Sequence, residues 1–162
     1  MTEKDLTLLK NWFSEYTESF FSSDEEVNRN LRLKIGHTHN VCANITNIAK
    51  VLSLTDDRVL LAEAIALFHD IGRFPQYDKY RTFEDSKSVN HGSLGSETLL
   101  KEKVLQELTG EERNLIVQAV KFHNVFEIPR LDDEDIIFFV KLVRDADKLD
   151  ILRVFIEYYE SP

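Results

Sequence analysis

The chain is nearly without cysteine. Cys42 is the only one in 162 residues, so no internal disulfide can form, and a reducing compartment is its natural setting. The start, MTEKDLTLLKNWF, has no basic stretch followed by an apolar one and does not read as a secretory signal. No apolar run approaches the ~18–20 residues that a bilayer crossing needs. Basic charge is also scarce: 20 Lys and Arg stand against 29 Asp and Glu, for a formal net charge of −9. Such a surface repels phosphate backbones and disfavours sequence-independent binding to long nucleic acid. A small phosphorylated substrate is not disfavoured, because a metal and a few lysines can set the local sign. These absences predict a soluble, cytoplasmic protein with neither a membrane nor a long nucleic acid as partner.

Low-complexity tracts and internal repeats are missing too, and no run alternates with period two for long enough to form a strand. The chain therefore reads as one all-α domain over residues 1–162, a length that suits a single compact core. Residues 3–21 place Leu6, Leu9, Phe13, Tyr16 and Phe20 on one helical face. Ser23 with Glu26 reads as a capping box that opens a second helix, running to about Leu52. Thr55-Asp56-Asp57 opens a third, which ends near Asp70, where Ile71-Gly72 supplies the stop. Residues 72–92, broken by Gly72, Pro75 and Gly92, read as a long irregular segment, and such segments are often functional. Helices resume at about 93–107, 111–124 and 134–159, with Thr109 and the Asp132–Asp135 cluster as starting signals.

Several polar side chains fall on faces that should be buried. In the second helix, Leu33, Val41, Ile45, Ile48 and Leu52 form an apolar stripe, and His37 lies on it. His39 points about 200° away, since each helical residue turns ~100°, and reads as a surface residue. The third helix, LLAEAIALFHD, is apolar on nearly every side and ends in His69-Asp70. A buried carboxylate there needs a cation or strong donors. Ile116, Ala119 and Val120 lead at helical spacing to His123; Ile136, Val140 and Val143 lead likewise to Asp147. Asp145 falls on the side of Lys141 instead. Nitrogen and carboxylate ligands converging on one point suit Mn²⁺, Fe²⁺, Co²⁺, Ni²⁺ or Zn²⁺ better than Ca²⁺.

His37 in GHTHNV, His69-Asp70 in ALFHDIGRF and Asp147 in RDADKLD resemble the H…HD…D signature of the HD-domain superfamily, over about residues 30–150. The resemblance implies a helical bundle of about six helices around a buried metal site, with His37, His69, Asp70 and Asp147 as ligands. It implies one or two divalent ions, of Mn, Fe, Co, Ni, Zn or Mg. His91 in NHGSLGSETL and His123 in VKFHNVF occupy positions where some subfamilies carry ligands to a second metal, with the doublet aspartate bridging. Asn124 follows His123 where other subfamilies have a second adjacent histidine. Relatives are often longer, which leaves open a C-terminal helical extension beyond Pro162.

The resemblance also implies a reaction: hydrolysis of a phosphate ester or anhydride of a nucleotide-like small molecule through a metal-activated water. Asp70 would hold the metal and orient that water, with Lys148 and Arg73 as further catalytic candidates. Arg73, Arg81 and Lys87 are the candidate substrate contacts, and Tyr77, Tyr80 and Phe83 could stack on a base or cover the site. No phosphate-cradling glycine loop or Ser-His-Asp order points to another chemistry. Two alternatives stand beside this reading. One is an HD-fold di-iron oxygenase, which needs the six-ligand order H…HD…H…H…D. The other is a non-catalytic domain that binds a nucleotide or a protein. Phe155 and Tyr159 on the terminal helix mark a partner surface, so a homo-oligomer stays open.

Overall fold

The computed structural model describes residues 1–160, and every regular element among them is helical. The helices are α1 (Glu3–Glu18), α2 (Glu25–Val51), α3 (Asp56–Phe68), α4 (Arg73–Tyr80), α5 (His91–Lys101), α6 (Gly110–Phe122) and α7 (Glu134–Glu160), with a short 3-10 turn at Asp85–Lys87. The all-α expectation holds, and the described residues contain seven α-helices where about six were expected. The additional one is α4, inside the segment expected to be irregular. Pro75 is its third residue, in the first turn, where a backbone N–H has no intrahelical partner to lose. A proline at that place is compatible with a helix start and does not break it.

Caps explain most of the boundaries. Thr109 and Glu112 form a reciprocal capping box at the start of α6. The Asp133 carboxylate accepts from the backbone N–H groups of Asp135 and Ile136 at the start of α7. At α2 the expected Ser23 box does not form. Asp24 caps instead, accepting from Glu26 and Val27, and its charge also suits the positive end of the helix dipole. Gly72 is no left-handed stop either, for its φ is −66°.

α3 is the central helix. Ala62, Ala64, Ile65, Ala66 and Phe68 are fully buried, and α1, α2, α6 and α7 all pack on it. Ile65 and Phe68 each contribute about 1.5–3 kcal/mol relative to exposure, and the alanines let the neighbouring helices approach closely. On α2 the buried face is Val27, Leu31, Val41, Cys42, Ile45 and Ala49. Leu33 and Leu52, assigned to that face by periodicity, are mostly exposed. α6 and α7 bury the expected stripes: Ile116, Ala119 and Val120 on one, Ile136, Val140 and Val143 on the other. The result for the site is geometric. The end of α3 lies at the centre of the bundle, and α2, α5, α6 and α7 can each aim side chains at it.

Candidate metal centre

His69 and Asp70 follow directly on α3 and are almost completely buried, at 0% and 3% exposure. His37 comes from α2, Asp147 from α7, His91 from the first residue of α5, and His123 from just past the end of α6. The close packing of α5 depends on glycine. A Cβ on Gly72 would lie 2.2 Å from the His91 carbonyl oxygen and 2.6 Å from the Gly95 nitrogen. Glycine just after the doublet therefore lets His91 approach Asp70.

All four histidines are held the same way. Each Nδ1 faces an acceptor: Asp150 for His37 (2.6 Å), the Ala66 carbonyl for His69 (2.6 Å), Asp85 for His91 (2.8 Å) and the Val120 carbonyl for His123 (2.7 Å). Nδ1 thus carries the proton, and each Nε2 turns inward as a donor atom for a cation. The inward atoms stand in two pairs, His37 and His69 at 3.3 Å, His91 and His123 at 3.1 Å.

Asp70 lies between the pairs. Its Oδ2 is 3.8 Å from the Nε2 atoms of His37 and His69. Its Oδ1 is 3.3 Å from that of His91 and 3.8 Å from that of His123. Asp147 Oδ1 adds to the first pair, 3.0 Å from His37 Nε2 and 3.9 Å from His69 Nε2. Ligand atoms at ~2.0–2.2 Å from one ion must stand roughly 3–4 Å apart, as these do. The donors of His37, His69 and Asp70, and those of Asp70, His91 and His123, form two groups that could each hold a metal ion. The residues present fit a divalent metal, with Asp70 common to both positions.

The local electrostatics differ across Asp70. Burial alone would raise the pKa of Asp70, but Lys34, His69, His91 and Arg73 outweigh it and hold the carboxyl well below the usual range. Lys34 Nζ is 2.9 Å from Asp70 Oδ2. Burial would likewise lower His37, yet Asp147, Asp70 and Asp150 together hold it above its ordinary value. His91 is lowered by burial, and His123 is lowered to about 3 by burial and by the neighbouring His69 and His91. Those two imidazoles are neutral at pH 7, the form that ligates metal.

The HD-domain family model matches residues 35–152, a span that holds all six of these side chains. The chain belongs to the HD-domain family. No curated protein and no solved structure gives a match.

This HD domain gathers the six candidate ligands, but it does not gather all the candidate basic residues. Lys148 is exposed and lines a separate hollow with Phe126, Lys141 and Arg144, on another side of α7 from Asp147. Arg81 closes the end of α4 and faces Asp78 in solvent. Lys87 is exposed and pairs with Glu84 at 2.8 Å. None of the three lines the cavity over the histidines, so the structure does not bring them to the ligand cluster. Arg73 does reach the site. Its Nε is 3.5 Å from Asp70 Oδ1, while its Nη1 donates to Asp85, Gln76 and the Phe83 carbonyl. Phe83 lines the cavity and stacks on Tyr77 at 4.6 Å, whereas Tyr80 does not line it. His39 is exposed and faces a separate groove with Phe13 and Cys42.

Sequence reasoning missed Lys34, Asp85, Asp150, Arg29, Arg32 and Arg153. Asp150 carried a usable signal, since it follows Asp147 by one helical turn in RDADKLD and is 1% exposed. Lys34 precedes His37 by the same interval. Asp85 had no signal, because a 3-10 turn lacks the periodicity that would give it a face.

Proposed function

We propose that the protein is a metal-dependent phosphohydrolase that cleaves a phosphate ester or anhydride of a nucleotide-like small molecule. One observation carries the reading: five of the six ligands, all but the buried His69, line a cavity of about 850 Å³ whose walls carry Arg29, Arg32, Lys34, Arg73 and Arg153. In a chain of net charge −9, five cations against three aspartates, Asp70, Asp147 and Asp150, give this cavity a positive balance that favours an anion. The HD-domain family, which includes metal-dependent phosphohydrolases, supplies the reaction class. The cavity volume falls in the range of small-molecule sites, and Leu33, Phe83, Ile151 and Val154 give it an apolar side suited to a base or sugar.

A divalent ion held here supplies an acidified water nucleophile and offsets the charge on the phosphoryl oxygens. The protein's own residues do the rest. Arg29, exposed and without an ion-pair partner among the described residues, is free to bind a phosphate. Lys34, already beside Asp70, brings a positive charge next to the reacting group. Asp150 and Asp85 fix the tautomers of His37 and His91. The test is phosphate or pyrophosphate release from a panel of nucleotides with Mn²⁺, for the native protein and Asp70→Ala. Release that disappears in the variant supports the reading. Its absence from a protein shown to hold Mn²⁺ contradicts it.

A second reading draws on one specific feature. All six side chains in the order H…HD…H…H…D converge, which is the ligand set of HD-fold di-iron oxygenases. Oxygen uptake by iron-loaded protein with no phosphate release from any nucleotide would favour it over hydrolysis.

A further inference from the structure

Asp85 accepts more hydrogen bonds than any role assigned so far requires. It lies at the start of the 3-10 turn between α4 and α5. Its two oxygens accept from Arg73 Nη1 (2.9 Å), Gln76 Nε2 (2.9 Å), His91 Nδ1 (2.8 Å), Asn124 Nδ2 (3.0 Å) and, at 3.4 Å, the His91 backbone N–H. These donors come from α4, from α5 and from the residue after His123. A carboxylate has about four lone-pair positions, so Asp85 is saturated, and every partner is a donor.

We propose that Asp85 is the positioning residue that makes the His91 and His123 side of the centre able to hold its own metal ion. The inference rests on the metal-centre reading above and extends it to one residue outside the ligand set. Two links support it. First, Asp85 accepts the Nδ1 proton of His91, which leaves Nε2 bare toward Asp70 and His123. Second, it holds Arg73 and Asn124, so the start of α4 and the segment just past α6 are fixed on the same anchor as His91.

The chemistry of losing that charge follows from the partners. In Asp85→Asn one oxygen becomes an NH₂ group facing donors. The remaining oxygen cannot serve all five donors. His91 relieves the clash by moving its proton to Nε2, which lies 3.1 Å from His123 Nε2. An Nε2–H there donates to His123 and closes the second position with a hydrogen bond between its own two ligands. The first position, built by His37, His69 and Asp147, has no contact with Asp85 and keeps its ion.

The experiment is a titration with Mn²⁺ alone, read by calorimetry and by electron paramagnetic resonance, on the native protein, Asp85→Asn and Asp85→Glu. The native protein is expected to take two ions and to give an exchange-coupled signal. Asp85→Asn is expected to bind the second ion ~10–100-fold more weakly, the usual cost of losing a partner behind a metal ligand, and to show an uncoupled six-line spectrum. Asp85→Glu, which keeps the charge, is expected to restore the coupled signal. Two ions bound by Asp85→Asn with native affinity overturn the proposal while leaving the metal centre intact. No Mn²⁺ bound by the native protein overturns the metal-centre reading itself, and the proposal with it. If Asp85→Asn does not fold, nitrogen-15 spectra of the native metal-free protein decide. An Nδ1–H tautomer at His91 supports the proposal, and an Nε2–H tautomer overturns it.

Discussion

The two sides of Asp70 are built from the same kinds of ligand and behave differently. On one side, His37 and Asp147 come from the long helices α2 and α7 and keep 15% and 22% of their side-chain surface exposed at the cavity. On the other, His91 and His123 are 6% and 2% exposed. The open side has a carboxylate of its own in Asp147, and His37 can carry a proton there between Asp147 and Asp150. The closed side has only its share of Asp70, and burial keeps His123 neutral down to about pH 3. A proton can therefore stand in for a cation on the open side. On the closed side two bare Nε2 atoms face each other at 3.1 Å, and while Asp85 keeps the His91 proton on Nδ1 a cation is what relieves them. The open side thus offers a position where a proton competes with a metal ion, and the closed side one that its neighbours must hold in shape.

The comparison can be broken outright at the group both sides share. Asp70→Ala is expected to lose both positions and to reduce phosphate release by more than the ~10–100-fold that an outer partner is worth. Inductively coupled plasma metal analysis beside the activity assay checks it, and full metal content in the variant contradicts it.

A narrower cut sharpens the comparison. Asp150→Asn removes the charge behind His37 and nothing on the other side, so it is expected to weaken the first Mn²⁺ by ~10–100-fold. A calorimetric titration in which only the other ion weakened would reverse the assignment of the two sides.

Gly72→Ala acts on the closed side through packing. The added methyl meets the His91 carbonyl and the Gly95 nitrogen, both backbone atoms, and overpacking of this kind costs ~1–3 kcal/mol. Thermal unfolding should show that loss, accompanied by weaker binding of one Mn²⁺ only. An unchanged melting curve would mean that α5 does not depend on this close approach.

The smallest expected effect lies away from both sides. Burial pushes the Cys42 thiol up to about 12 from an ordinary value of 9.0. The folded protein keeps this proton where the unfolded chain releases it, so stability falls as pH rises above 9 and is unaffected by this group below it. The loss is about 1.4 kcal/mol per pH unit until the folded thiol ionises near 12. Urea unfolding at pH 9 and pH 10 should show a larger loss in the native protein than in Cys42→Ala, and equal losses would contradict it.

Legibility in the sequence followed periodicity closely. His37, His123 and Asp147 each sit on an amphipathic helix, and a polar group on an apolar face is visible as a break in pattern. His69 and Asp70 end a helix that is apolar all round, which is visible too. What lay in turns was not. α4 was hidden because Pro75 and Gly72 read as breakers, though one occupies a first turn and the other a close helix contact. Leu33 and Leu52 fit the α2 stripe by spacing and are nevertheless exposed, since Leu33 lines the cavity and Leu52 is the C-cap just past the last turn of α2. The basic residues were misjudged for another reason. Being adjacent to a ligand in sequence turns Lys148 about 100° away from Asp147 around α7 and into a separate hollow, whereas Lys34 and Arg153, three residues from His37 and Asp150, lie beside the site.

The most direct test of the account is anomalous diffraction at the manganese edge from crystals grown with Mn²⁺. Two peaks are expected, one on each side of Asp70, the first against His37, His69 and Asp147 and the second against His91 and His123. No peak at Asp70, or peaks only at surface carboxylates, would contradict it.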